Sequence, residues 1–271
     1  MSVQAHAIAR HFGKACQSYS NAARLQRLTG YAILNGLPAE PRGCLLDLGC
    51  GPAWLHPELV QRGNTLLAVD LSAGMLHQAR QLGLAKAYIQ ADAAALPLPP
   101  ASVRRVFSNL MLQWCPKPGE VAAELERVLQ SGGTVNLSTL LHGTLAELRQ
   151  AFLALKLRPH VNQFLTAEAL LLAMQQGAPT IDWQLQSETV QFSYPDVLAL
   201  GRELKSLGAN YVPDKERKGL TGRSYWQQLQ QAYPKLPGNA QAGYLENSTA
   251  DTAADTIIAS YQVAYLTGVK R

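Results

Sequence analysis

The chain has 271 residues, 47% of them hydrophobic and 16% charged, with a net charge of +5 and a pI near 9.0. That length allows one large core or two modest ones. No apolar run approaches the roughly 20 residues of a membrane span, and no signal peptide is expected, because the N-terminus lacks a continuous apolar core.

The four cysteines, Cys16, Cys44, Cys50 and Cys115, form no CxxC pair and have no paired histidines nearby. Free thiols in a reducing cytoplasm, and no metal site, are expected. Basic residues are scattered apart from Lys215, Arg217, Lys218 and Arg223, which read either as a solvated loop or as a docking patch for an acidic partner. No aromatic–basic stripe accompanies them, so nucleic-acid binding is not expected. A membrane partner is not expected either.

The chain opens with one or two helices over 7–34, where Ile8, Phe12, Ala15, Tyr19 and Ala22 recur at spacings of three and four. Gly36, Pro38, Pro41 and Gly43 punctuate. Five strand–helix alternations follow. Strand 45–48 leads to a helix at 56–62, and the apolar strand 65–70 leads to a helix at 73–82 capped by Ser72. A third strand is read over 87–92, a fourth over 103–109, and a helix over 120–129. Gly132 and Gly133 then turn into a fifth strand, 134–139. This alternation predicts an α/β fold with a mostly parallel, Rossmann-like sheet and right-handed crossovers. Beyond it, helices are predicted at 144–157, 166–176, 195–207 and 224–233. Strands near 180–192 and 257–267 would extend the sheet as an antiparallel edge pair, making seven strands. The stretch 238–255, rich in small and polar residues, reads as a loop.

The most informative segment is Leu45-Leu46-Asp47-Leu48-Gly49-Cys50-Gly51. An apolar strand ending in Gly-x-Gly makes a tight turn that lets backbone approach a nucleotide-like ligand. Asp47 would repel a pyrophosphate but attract a cation, which favours S-adenosylmethionine over a dinucleotide. The lack of a G-x-G-x-x-G pattern also disfavours a nicotinamide oxidoreductase. Asp70 ends the second strand about 20 residues on, where a carboxylate accepts ribose hydroxyls, with Leu71 beside it. Asp92 ends the third predicted strand, where an acid can accept the adenine amine while the Ala93 N–H serves a ring nitrogen. Asn109 and Trp114 follow the fourth strand, facing cofactor and substrate respectively; packing alone would equally explain Trp114.

With these residues the chain resembles class I S-adenosylmethionine-dependent methyltransferases, and more narrowly the malonyl-acyl carrier protein O-methyltransferase family of biotin synthesis. The narrower resemblance rests on Phe12–Tyr19, on Leu96-Pro97-Leu98-Pro99 and on Ser108–Trp114. It continues through Gly143–Leu148, Pro159–Leu165, Leu207–Asn210 and Gly219–Arg223. It implies residues 1–36 as cofactor-covering helices and 37–142 as the S-adenosylmethionine-binding core. Residues 143–271 would be a helical lid and substrate region holding the last two strands, in one continuous domain. It further implies an acyl carrier protein (or coenzyme A) bearing malonyl as substrate, S-adenosylhomocysteine as product, and Tyr19 as a lid residue over methyl and acceptor. A malonyl carboxylate is already ionised near neutral pH, so no general base is required. It does need a cationic or multi-donor clamp, for which Arg149, His160, Asn162 and Arg223 are candidates. Two other readings stay open: a methyltransferase for another small carboxylic acid or metabolite, and a non-catalytic binding protein. The second is raised by Pro52-Ala53, where the turn gives up a backbone donor and gains a Cβ.

Overall fold

The computed structural model describes residues 23–37, 43–62, 65–207, 222–234 and 256–271. Tyr19, Cys16, Lys215, Arg217, Lys218 and the loop read at 238–255 lie outside the described residues. The elements are α1 (Arg24–Asn35), β1 (Cys44–Leu48), α2 (His56–Leu59), β2 (Thr65–Asp70), α3 (Ala73–Leu82), β3 (Ala87–Gln90) and β4 (Val103–Asn109). A 3₁₀ turn at Leu112–Trp114 follows, then α4 (Pro118–Val128), β5 (Leu129–Leu140), α5 (Ala146–Ala154), α6 (Ala167–Gly177), β6 (Ile181–Tyr194), α7 (Val197–Ser206), α8 (Arg223–Ala232) and β7 (Ile257–Lys270).

All seven strands form one sheet in the order β3-β2-β1-β4-β5-β7-β6. The first five are parallel, and β7 runs antiparallel to both neighbours, pairing with β6 from Ile257 opposite Tyr194 to Lys270 opposite Ile181. The strands alternate their apolar side chains between the two faces. Leu46, Val106 and Val135 pack with Val121 and Leu125 of α4 and Met174 of α6. Leu45, Leu66 and Phe107 face Ile33 and Leu34 of α1 and Leu59 of α2 on the other side. A further core joins α1, α5, α7 and α8 to β6 and β7 through Leu25, Leu148, Val190, Leu200, Leu229 and Tyr261.

The element types match the sequence reading, and the departures at their ends have local causes. Strand β3 stops at Gln90 rather than 92 because the Asp92 carboxylate accepts the Ala94 N–H at 3.1 Å, and this side-chain turn takes the backbone out of the sheet. Helix α2 is a single turn, tightened at its end by the Arg62 N–H to Leu59 carbonyl bond at 2.9 Å. Strand β5 begins at Leu129, earlier than expected. Its register with β4 slips between Val103 and Arg105, and Gly132, at φ +67°, absorbs the extra residues. Helix α5 starts late because Leu145 sits at φ +56° and the Thr144 hydroxyl accepts the Gln262 N–H at 3.0 Å.

Helices α4 and α6 touch backbone to backbone at Gly119 and Gly177. A Cβ on Gly177 would lie 2.1 Å from the Gly119 carbonyl oxygen. Gly177→Ala is therefore expected to lower stability by roughly 1–3 kcal/mol through overpacking, read as a reduced midpoint in denaturant unfolding. An unchanged midpoint would show that the helices can separate without cost.

Candidate active site

The strand order reverses direction between β1 and β4, and a crevice opens there beyond their carboxyl ends, where open α/β sheets bind ligands. Asp47, Gly49, Gly51 and Pro52 line this cleft together with Trp54, Leu55, Phe107 and Asn109. The glycine turn is fixed by the Val69 carbonyl, which accepts the N–H groups of Gly49 at 2.8 Å and Cys50 at 3.0 Å. Gly49 (φ +77°) cannot carry a side chain, since a Cβ would meet Met111 Cγ at 2.3 Å. At Gly51 (φ +54°) a Cβ would meet no protein atom within 4 Å; because Gly51 lines the cleft, that open space is room for a ligand.

Ala53 also sits in the left-handed region, at φ +65°, which costs about 1–2 kcal/mol for a residue with a Cβ. Its methyl group does not crowd the cleft. Ala53 is 1% exposed and packs with Cys50, Ala68, Leu76 and Ala79 behind the turn. The turn itself closes normally, with the Ala53 N–H on the Cys50 carbonyl at 3.0 Å.

Asp70 holds the turn from the next strand: its Oδ2 accepts the Gly51 N–H at 2.9 Å and its Oδ1 the Ser72 N–H at 2.7 Å. Burial pushes its carboxyl up to about 6, against the pull of those two N–H groups, and the nearby Asp47 carboxylate adds to the rise. The same acidic surroundings act on Cys50, whose thiol is held well above its ordinary range by burial first and then by Asp47 and Asp70. A carboxylate lining the cleft, Asp47, and a second one just behind its Gly51 turn, Asp70, favour a ligand carrying positive charge and hydroxyl donors. S-adenosylmethionine, with an ammonium, a sulfonium and a ribose diol, has that donor set.

Asp47 is itself buried, and its Oδ2 lies 3.1 Å from Nε2 of His56, a residue with no solvent exposure. His56 Nδ1 has no hydrogen-bond partner among the described residues. The tautomer carrying hydrogen on Nε2 satisfies this arrangement, because it spends the one ring N–H on the carboxylate. His56 and Trp54 were not picked out by the sequence reading. Trp54 lines the cleft and meets Tyr31 of α1 edge to face at 5.8 Å.

Asn109 lines the cleft, but its amide is largely engaged within the protein. Oδ1 accepts the hydroxyls of Thr29 at 2.7 Å and Ser138 at 2.6 Å, and Nδ2 donates to the Gln26 carbonyl at 2.8 Å, tying α1 to β4 and β5. Leu71 follows β2, and its carbonyl accepts the Gln90 amide at 3.1 Å. Asp92 and Ala93 stand beyond β3. Burial, helped by Asp92, raises the Cys115 thiol to about 12, so that thiol is no nucleophile. Its Sγ contacts the Met111 sulfur at 3.4 Å, which places the Asp92 turn next to the residue covering Gly49.

None of the five substrate candidates lines the cleft. Trp114 is partly buried at the end of the 3₁₀ turn, and Arg149 is exposed on α5. His160 is exposed with its ring against Phe152 at 5.5 Å, Asn162 is half-buried in the α5–α6 connection, and Arg223 is the exposed first residue of α8. Among the described residues, no group of three His, Cys, Asp or Glu side chains could hold a metal ion, and Cys44, Cys50 and Cys115 are free thiols.

The seven-stranded order with its cleft at the β1–β4 switch point defines a class I methyltransferase, and residues 46–137 match the family described as Methyltransferase domain. The YcgJ protein of Bacillus subtilis shares the fold, with a TM-score of 0.62 at 13% identity over 90% of this chain and 99% of that one. The malonyl-acyl carrier protein O-methyltransferase of Enterobacter lignolyticus is 37% identical over 89% of this chain and 95% of its own length. The biotin biosynthesis bifunctional protein of Cellvibrio japonicus is 37% identical over 88% of this chain, which spans 49% of that longer protein. The chain belongs to the malonyl-acyl carrier protein O-methyltransferase family.

Proposed function

We propose that the chain transfers a methyl group from S-adenosylmethionine to the free carboxylate of a malonyl thioester on acyl carrier protein, an early step of biotin synthesis. The observation that carries this reading is the 37% identity to a malonyl-acyl carrier protein O-methyltransferase, which extends over 89% of the chain and so includes the substrate-side second half. Bound S-adenosylmethionine supplies the methyl group and a sulfonium that leaves as a neutral thioether.

The protein's own contribution is binding, orientation and exclusion of water. Asp70 takes the ribose hydroxyls while it fixes the Gly51 turn. Asp47, held by His56, faces the positive end of the ligand, and Gly49 and Gly51 keep backbone close. Asp92 and Ala93 serve the adenine edge, with Leu71 and Asn109 as walls. Residues 143–271 supply the substrate side in this reading, and Tyr19 is the lid residue that the family resemblance implies. A carboxylate acceptor needs no base, so the rate comes from holding its oxygen in line behind the methyl group. The product ester carries no charge, and its acyl chain can be elongated as an ordinary apolar one. The reaction is assigned to the cytoplasm. Among the described residues no helix is long and apolar enough to cross a membrane.

The position of Ala53 favours turnover over the non-catalytic reading, since its methyl group is packed away from the cleft. The test is mass spectrometry of malonyl-loaded carrier protein incubated with S-adenosylmethionine, with a Tyr19→Phe variant alongside. A base-labile methyl ester on the malonyl group, formed much more slowly by the variant, is expected. Methylation of free small acids but not of the carrier-bound malonyl group would move the substrate to another metabolite. Absence of S-adenosylmethionine binding at millimolar ligand would leave only a binding role.

A further inference from the structure

Between Glu147 and Glu168 the chain has no acidic residue, yet it carries Arg149, Lys156 and Arg158. All three are exposed, and none makes an ion pair among the described residues. Arg149 and Leu153 stand four residues apart on the outer face of α5, and Lys156 follows just past the end of that helix, at φ +55°. The leucines here are unusual for a surface: Leu153 is 54% exposed, Leu157 38% and Leu165 44%. Exposed apolar side chains interspersed with cations suit a protein partner whose own surface is acidic with an apolar seam.

The stretch is also anchored at the edge of the sheet where the cleft lies. Leu145 donates its N–H to the Ser260 carbonyl at 2.7 Å, and His142, just past β5, donates to the Leu165 carbonyl at 2.8 Å. The inner face of α5, with Leu148 and Phe152, packs in the same cluster as Leu110, the residue after Asn109 on the cleft wall. Helix α8 packs on α5, and its first residue, Arg223, adds a fourth exposed cation.

Resting on the function proposed above, we infer that the outer face of α5 and the α5–α6 connection form the docking surface for the acidic acyl carrier protein. The cations steer its acidic surface, and Leu153 and Leu157 enter the apolar seam of the complex. Arg149 then acts as a contact to the carrier rather than as a clamp on the malonyl carboxylate. A carrier seated here delivers its tethered acyl group to the neighbouring cleft without entering it.

The experiment compares wild type with Lys156→Glu/Arg158→Glu and, separately, Leu153→Ser. KM for malonyl-loaded carrier protein should rise about tenfold in each variant, with a flatter salt dependence in the charge-reversal variant. kcat, S-adenosylmethionine affinity and KM for malonyl-coenzyme A should stay as in wild type. Direct titration with unloaded carrier protein, which requires no turnover, should show the same tenfold weakening. Unchanged carrier affinity in both variants overturns the docking surface, as does an equal loss for the carrier and coenzyme A substrates. Methylation of neither thioester by wild type would overturn the proposed function instead, with the unloaded-carrier titration still deciding the surface.

Discussion

Binding of S-adenosylmethionine to the wild-type protein should weaken as the pH falls through about 6, the value to which burial raises the Asp70 carboxyl, if Asp70 takes the ribose hydroxyls as proposed. The loss approaches ~10-fold for each further pH unit. Without ligand, the partly buried carboxyl prefers its neutral form, so its folded-state value lies above the ordinary 3.8. In the proposed site, ribose hydroxyls donating to the ionised form would pull the value back down. Binding near pH 6 should therefore release a proton, detectable by calorimetry in two buffers of different ionisation enthalpy. The sign for stability is the opposite one. The ligand-free fold holds this proton more tightly than the unfolded chain does, so Asp70 costs stability as the pH rises from the ordinary range through about 6, and ligand offsets that cost.

Asp70→Asn should remove the pH dependence and weaken binding about 100-fold, given ~1.5–3 kcal/mol for a hydrogen bond to a charged group. An asparagine has one acceptor oxygen, so its NH₂ must face either the Gly51 or the Ser72 N–H, donor against donor. A wild-type affinity that stays level from neutral pH to below that of the Asp70 transition would remove Asp70 from the ribose site.

The parts of the site legible in the sequence are those produced by strand ends. An apolar parallel strand running into an acid places that acid at the carboxyl edge, so Asp47 and Asp70 could be placed from periodicity alone. Gly49 and Gly51 were legible for a related reason: their left-handed φ values need glycine. Asp92 shows the limit. Its carboxylate makes a turn with the Ala94 N–H, and no strand pattern reveals whether an acid ends a strand or leaves it. Pro52-Ala53 was legible as an unusual pair but not in its consequence, because the direction of the Ala53 methyl follows from its φ of +65°. The substrate side was least legible. Where Arg149, His160 and Arg223 stand depends on how α5 and α8 pack onto β7, and the spacing of charges carries no trace of that.

His56 was hidden for yet another reason, and replacing it should have the larger effect on the fold. It lies nine residues after Asp47, in a one-turn helix, at a position flanked by the buried Leu55 and Leu59, where an apolar residue would fit the pattern. The structure gives the polar choice a purpose. The Asp47 carboxylate is costly to bury, and the Nε2–H of His56 supplies a donor at 3.1 Å from its fully buried ring. His56→Leu keeps the packing volume nearly intact but leaves Asp47 without that donor. The expected loss is ~2–3 kcal/mol of stability, or a thermal midpoint lower by roughly 5–10 °C for a chain of this size. Asp47→Asn should be milder, because a neutral amide is cheaper to leave in the same place. The double variant should recover at least ~1 kcal/mol relative to the sum of the two, as contacting partners do. Additive losses would separate the two residues energetically and make His56 a packing residue only. If instead the coupling appears in S-adenosylmethionine affinity as well as in stability, His56 positions the carboxylate that faces the ligand's positive charge.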